Sequence, residues 1–175
     1  KRGYVCPSAG NLEREERIKG GFVMDSVPGI YDYVIVCDFK SLYPSIIRTF
    51  NIDPLSFHRG GKIKSPNSAS FADDDGLLPL LIQDMWEMRD CAKKKKDKVA
   101  SYAIKITMNS FFGILANPRC RFYSFDMANA ITSWGRDIVQ DTAKKVETAW
   151  YKVIYSDTDS IFVALSLDNY NDAEK

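Results

Sequence analysis

The alternation of apolar and polar positions sets out a strand, a helical hairpin and a β-hairpin in that order. Val34, Ile35 and Val36 form a short continuous apolar run, entered from Gly29 and extended by Cys37 to Asp38. A run of this kind predicts a strand buried on both faces. Pro44 follows closely, which restricts Tyr43 to extended backbone and lets a helix begin near the proline. Leu77 to about Lys96 and Val99 to about Asn117 read as helices. Leu78, Leu81, Ile82, Met85, Trp86 and Met88 make an apolar stripe at helical spacing on the first, with Pro79 in its first turn. The break at Asp97 is short enough to require an antiparallel helical hairpin. Val153 to Tyr155 and Ile161 to Leu165 are two strands parted by polar residues, hence a β-hairpin. Between His58 and Gly76 the chain is polar and predicts a long connecting loop. Residues 1–19 mix charge with little periodicity, with a helix expected from Leu12 to Ile18.

Three of these places carry chemistry. Asp38 sits where an apolar strand emerges, costly for a carboxylate that is neither paired nor metal-bound. The amides of Ser41, Leu42 and Tyr43 precede a helix, where backbone N–H groups can face a phosphate. Asp157 and Asp159 are two apart and share a face if the stretch is extended. Two such carboxylates raise each other's pKa unless a cation lies between them. Oxygen ligands with no His or Cys nearby favour magnesium over zinc. On the helical hairpin, Arg89 and Lys93 stand four apart, as do Lys105 and Asn109, so facing helices present three cations and an amide, a set suited to a triphosphate. Gly113, one turn beyond Asn109, removes a side chain where a base pair would approach closely. Each feature has a plainer reading: an Asp cap, a polar hairpin tip, an aromatic core pair at Phe111 and Phe112. Lys94, Lys95, Lys96 and Lys98 read as a solvated face.

Composition changes little of this. The chain has 175 residues, 45% hydrophobic and 13% aromatic, enough for a domain-sized core. Its net charge of +1 means that cations for nucleic acid must be concentrated locally. Cys6, Cys37, Cys91 and Cys120 lack metal-ligand spacing and read as free thiols of a reducing intracellular compartment. No membrane-length apolar run and no export signal is read, so no membrane partner is expected. Asp73, Asp74 and Asp75 read as solvated turn residues with a helix N-terminal charge.

Taken together, residues 38–47 (DFKSLYPSII), 105–113 (KITMNSFFG) and 155–160 (YSDTDS) resemble motifs A, B and C of the family-B DNA polymerases, and look most like the bacterial DNA polymerase II branch. The resemblance runs from about Gly20 onward. It implies an α+β fold: a palm with an antiparallel sheet packed on helices, over residues 1–76 and 118–175, and a two-helix fingers hairpin over 77–117. It implies a template-directed DNA polymerase that adds deoxynucleoside triphosphates to a primer 3′-hydroxyl by two-metal phosphoryl transfer. Asp38 and Asp159 would ligate two Mg2+ ions, which Mn2+ can replace, with the carbonyl of Phe39 adding a ligand and Asp157 completing the cluster. Ser41 and Leu42 amides would hold the triphosphate, and Tyr43 would exclude a ribose 2′-hydroxyl. Arg89, Lys93, Lys105 and Asn109 would clamp the phosphates, with Lys105 protonating the leaving group. Phe112 and Gly113 would pack on the nascent base pair. Thr132, Gly135 and Arg136 resemble a further segment, Thr-x-x-Gly-Arg, near the primer-template.

Phe112 stands where the family usually has Tyr, and Ser156 where it usually has Gly. A positive φ at Ser156 would cost about 1–2 kcal/mol, an extended one nothing. The absence of an initiator Met and the break after the hairpin suggest a catalytic-core fragment lacking the thumb and any exonuclease domain. The location implied is cytoplasmic, at the nucleoid in a prokaryote. The alternative from another class is an inactive polymerase-like structural subunit. Retention of all three carboxylates argues against it. The Ser-Leu-Tyr-Pro-Ser segment argues against a reverse transcriptase or RNA polymerase.

Overall fold

A computed structural model describes residues 18–165. The helix expected at 12–18 and Cys6 lie outside or at the edge of that range. The chain divides into two compact units, one built on residues 43–133 with Lys19 and the other on 20–42 and 134 onward.

In the second unit, β1 (Val23–Met24), β2 (Tyr33–Asp38), β5 (Lys152–Asp157) and β6 (Ser160–Leu165) form one antiparallel sheet in the order β1-β5-β6-β2. The β2–β6 ladder runs from Tyr33 opposite Leu165 to Asp38 opposite Ser160. Among the described residues β2 is therefore an edge strand, contrary to the expectation of burial on both faces: Val34, Ile35 and Val36 are 40%, 39% and 53% exposed. Its apolar run reflects β-branched strand propensity rather than a central position. The buried side chains lie on the neighbouring strands, at Val153, Ile154, Ile161 and Val163. Val153 and Ile154 are both buried because a β-bulge between Val153 and Tyr155 breaks the two-residue alternation.

In the first unit, α1 (Leu42–Thr49) begins two residues ahead of Pro44. Tyr43 is thus helical, not extended: Pro44 stands in the first turn, where no carbonyl four residues back meets its ring, and its bias against a helical preceding residue is a preference that the helix start overrides. The end of α2 (Pro54–Arg59), β3 (Ile63–Lys64) and β4 (Ser70–Phe71) interrupt the stretch expected as a loop, whose other residues form turns and irregular backbone. The small antiparallel ribbon places Phe71 in the core, fully buried with Ile46, Ile47, Ile52 and Ile82. Burial of each such side chain contributes about 1.5–3 kcal/mol.

α3 (Leu77–Lys94) and α4 (Lys98–Ala116) pack together as the predicted hairpin. The turn closes through Lys96 at φ 59°, and Asp97 caps α4 by accepting from the Ala100 amide at 2.9 Å. Only part of the α3 stripe is buried: Ile82 is, whereas Leu81 and Met88 are exposed. α4 is long and apolar enough to pass a length-and-composition test for a membrane span, although it carries Lys105 and packs on α3. α5 (Phe125–Thr148) is not among the elements predicted above. Its first half is buried around most of its circumference by small residues, Ala128, Asn129, Ala130, Thr132 and Ser133. Larger apolar residues follow helical spacing among them, at Met127, Ile131, Trp134 and Ile138. Asn129 Nδ2 donates to Phe125 O at 3.0 Å and Thr132 Oγ1 to Asn129 O at 3.3 Å within the helix, while Asn129 Oδ1 accepts from Lys19 N at 3.0 Å.

Candidate active site

The carboxylates are placed by strand register. Asp38 and Asp157 are each paired with Ser160, from β2 and β5 respectively. Residues paired directly across a ladder share a face, so both acids stand on one face, flanking Ser160. Adjacent strands are about 4.8 Å apart, which puts their Cα atoms about 10 Å apart. Both acids are exposed.

Asp159 lies in the turn itself. β5 ends at Asp157 and β6 resumes at Ser160, so Asp157 and Asp159 are not successive same-face positions of one extended strand. Asp159 N instead donates to Asp157 O at 2.6 Å across Thr158, whose φ is 53°. This is a three-residue turn of the positive-φ kind, the rarer and more strained sense. A β-branched residue there costs about 1–2 kcal/mol. Asp159 O in turn accepts from Phe39 N at 2.8 Å, joining the tip to the end of β2. Thr158 Oγ1 donates to Asp157 Oδ1 at 2.9 Å, and Ser160 Oγ to Asp157 O at 3.2 Å. Both hydroxyls therefore bond within the turn. Ser156 is in β5 without positive φ, fully buried, and donates to Ser160 O at 2.9 Å. Its replacement of the usual glycine thus incurs no backbone strain.

The donor chemistry, hard oxygens with no His or Cys, fits magnesium-like cations, and the register gathers the three acids at one end of the sheet. Among the described residues, however, no three acidic, His or Cys side chains draw together into a ready cluster. The spacing across Ser160 accounts for this. Asp38 and Asp157 must lean toward each other to share an ion.

Ser41 follows in the same unit at φ 53°, a second positive-φ non-glycine beside the acids. It turns the chain into α1, so the amides of Ser41 and Leu42 fall at a helix N-terminus as expected.

Tyr43, Arg89, Lys93, Lys105, Asn109, Phe112, Gly113 and Thr132 belong to the first unit, whereas Gly135 and Arg136 belong to the second. Tyr43 packs on Phe112, ring centroids 4.7 Å apart and planes tilted by 47°. Phe112 is thus partly a support for Tyr43 and not purely core. Arg89 and Lys93 lie on α3, Lys93 next to Asp90 of its own helix at 3.9 Å. Lys105 and Asn109 are exposed one turn apart on α4. Around Gly113, a Cβ would meet no atom within 4 Å, so the open space is on the outside of the helix. Cys37, Cys91 and Cys120 are free thiols. Asp73 and Asp74 face Lys62 and Arg59 as exposed ion pairs, in keeping with turn residues.

Sequence reasoning misses residues 20–22, which hold these groups, and expects Arg136 near the primer-template rather than bonded to them. Arg136 Nη1 donates to Gly20 O at 2.7 Å, and Thr158 N to Phe22 O at 2.8 Å. The Gly20-Gly21 doublet is the available signal. Asp53, also missed, is buried and caps two helices: Oδ1 accepts from Leu55 N at 2.8 Å and Oδ2 from Leu78 N at 2.9 Å.

The sequence model of DNA polymerase family B matches residues 1–175. DNA polymerase II of Escherichia coli (strain K12) is 42% identical over 172 residues, which make up 94% of this chain and 22% of that protein. The DNA polymerase of Thermococcus gorgonarius is 34% identical over 169 residues, 87% of this chain and 22% of that one. The structure of the family B DNA polymerase from the hyperthermophilic archaeon Pyrobaculum calidifontis aligns with a TM-score of 0.72 at 28% identity, covering 92% of this chain and 24% of that one. The chain spans less than a quarter of the length of each of these relatives.

Proposed function

The chain belongs to DNA polymerase family B, and from that premise we propose that it is the catalytic core of a longer DNA-directed DNA polymerase. The observation that carries the reading is the shared face of Asp38 and Asp157 about Ser160, with Asp159 tied to Phe39 at the same end of the sheet. The substrates are a DNA primer-template and deoxynucleoside triphosphates. Residues 77–117 act as the fingers and the rest as palm. The thumb, and any exonuclease domain, are supplied by other parts of the parent chain.

Divalent cations, Mg2+ foremost, supply Lewis acidity at the primer hydroxyl and offset charge on the phosphates when bound. Asp38, Asp157 and Asp159, with the carbonyl of Phe39, would hold them. The primer 3′-oxygen attacks the α-phosphorus, the bond to the β-phosphate breaks, and pyrophosphate leaves. Amides of Ser41 and Leu42 bind phosphate oxygens. Arg89, Lys93, Lys105 and Asn109 offset charge on the triphosphate from α3 and α4, and Lys105 delivers a proton to pyrophosphate. Tyr43 bars a ribose 2′-hydroxyl, and Phe112 with Gly113 bounds the new base pair. A reducing intracellular compartment suits the free thiols.

Primer extension by the parent polymerase tests this. Asp38→Ala and Asp159→Ala should each lower deoxynucleotide incorporation by several orders of magnitude while leaving primer-template binding in place. Near-normal turnover in either variant rejects the assignment of the acids. No extension by the unmodified parent polymerase would favour a purely structural role instead.

A further inference from the structure

We propose that residues 20–22, the strap leading into β1, are a positioning element for the turn that carries Asp157 and Asp159, and that Gly21 is glycine because Thr158 fills the space beside it. The inference rests on the reading of those acids as cation ligands. Three contacts tie the strap to the turn and to α5, and the β1–β5 ladder continues them. Arg136 Nη1 donates to Gly20 O at 2.7 Å. A Cβ on Gly21 would stand 2.9 Å from Thr158 Cγ2 and 3.2 Å from both its Cα and its Oγ1. Thr158 N donates to Phe22 O at 2.8 Å, and Val23 is paired with Asp157 in the β1–β5 ladder.

Gly21 is not in the positive-φ region, so backbone freedom does not explain it. What excludes a side chain is the neighbour. Thr158, by contrast, holds a strained φ of 53°, which persists only where its surroundings over-determine it. The strap supplies two of those constraints, the hydrogen bond to the Thr158 amide and the close surface against its methyl. The Thr158 hydroxyl then fixes Asp157 Oδ1 at 2.9 Å. A shift of the strap therefore reaches an acid directly, through one side chain. Arg136, from the Thr-x-x-Gly-Arg segment, gains a role here as the anchor of the strap.

The test is Mn2+ affinity, read by the loss of the free-ion paramagnetic resonance signal, in the parent polymerase bound to primer-template and a non-hydrolysable deoxynucleotide. Gly21→Ala should weaken Mn2+ binding by about tenfold, the scale seen when supports of metal ligands are disturbed. Thr158→Ser removes Cγ2 and keeps the hydroxyl, so adding it to Gly21→Ala should restore most of the affinity. Unchanged affinity in Gly21→Ala, or a loss that Thr158→Ser leaves in place, overturns the proposal. If Gly21→Ala alone does not fold, the double variant is compared with Thr158→Ser alone; equal affinity supports the strap and a residual loss of about tenfold rejects it. Asp159→Ala separates the two levels. Wild-type Mn2+ affinity in that variant defeats the reading of the acids, whereas loss there with none in Gly21→Ala defeats the strap alone.

Discussion

Tyr43 and Phe112 form a packed aromatic pair, so the residue proposed to bar a 2′-hydroxyl is supported by a residue of α4. Sugar selection should then depend on both rings. Tyr43→Ala in the parent polymerase is expected to admit ribonucleotides, and Phe112→Ala to do so to a smaller degree by letting the Tyr43 ring move. Competing ribo- and deoxynucleotide incorporation on one template measures both. Unchanged sugar discrimination in Tyr43→Ala would reject it as the gate. At this scale the acids, Tyr43 and the cations of the hairpin are legible, because polar groups that interrupt apolar segments need a reason to be there. Thr158 and Ser41 at positive φ are not legible; for Thr158, a sequence offers no sign that a β-branched residue will be held in a strained region by Phe22, far away in the chain. Ser156 illustrates the reverse: its departure from glycine suggests strain, but β5 continues through it and the strain falls two residues later.

Elements with a stripe or a strong break are readable, and those stabilised by a single buried polar residue are not. The α3–α4 hairpin follows from spacing and the short link at Asp97. Where α2 and α3 both start, the determinant is one side chain, Asp53, accepting from Leu55, Ser56 and Leu78 amides. Nothing in residues 53–59 announces the contact with Leu78. Asn51 adds to the same corner, donating to Ala72 O at 2.6 Å and accepting from Gly76 N at 3.0 Å. A helix cap contributes about 1 kcal/mol, so Asp53→Ala, which removes two, should lower stability by about 2–3 kcal/mol. Urea unfolding followed by circular dichroism reads this, and Asp53→Asn should lose less because its remaining oxygen still accepts. A loss under about 0.5 kcal/mol, that of an ordinary surface change, would mean the helix starts are held elsewhere. β2 is misread for another reason. A run of β-branched residues marks a strand but not its place in the sheet, and edge or centre is decided by the partners it finds.

For the molecule as a whole, charge sets the expectation. With a net charge of +1, the chain has no excess of cations to spread over a duplex backbone. The cations it does concentrate, Arg89, Lys93 and Lys105, are assigned to a triphosphate. Affinity for duplex DNA grows with the number of phosphates neutralised, each adding to the slope of log affinity against log salt. The matched segment is 22% of the Escherichia coli relative and 24% of the Pyrobaculum one, so most of the surface available for phosphate contacts lies outside it. The 175-residue chain alone should therefore bind a labelled primer-template about 100-fold more weakly than the parent polymerase at moderate salt, with a shallower salt slope. Fluorescence anisotropy across a potassium chloride series measures both quantities. Equal affinity and equal slope would place the grip on DNA within this chain, and the palm and fingers would then hold the duplex without help from a thumb. A weak, shallow response joined to normal Mn2+ binding would instead separate the two tasks, chemistry here and grip elsewhere.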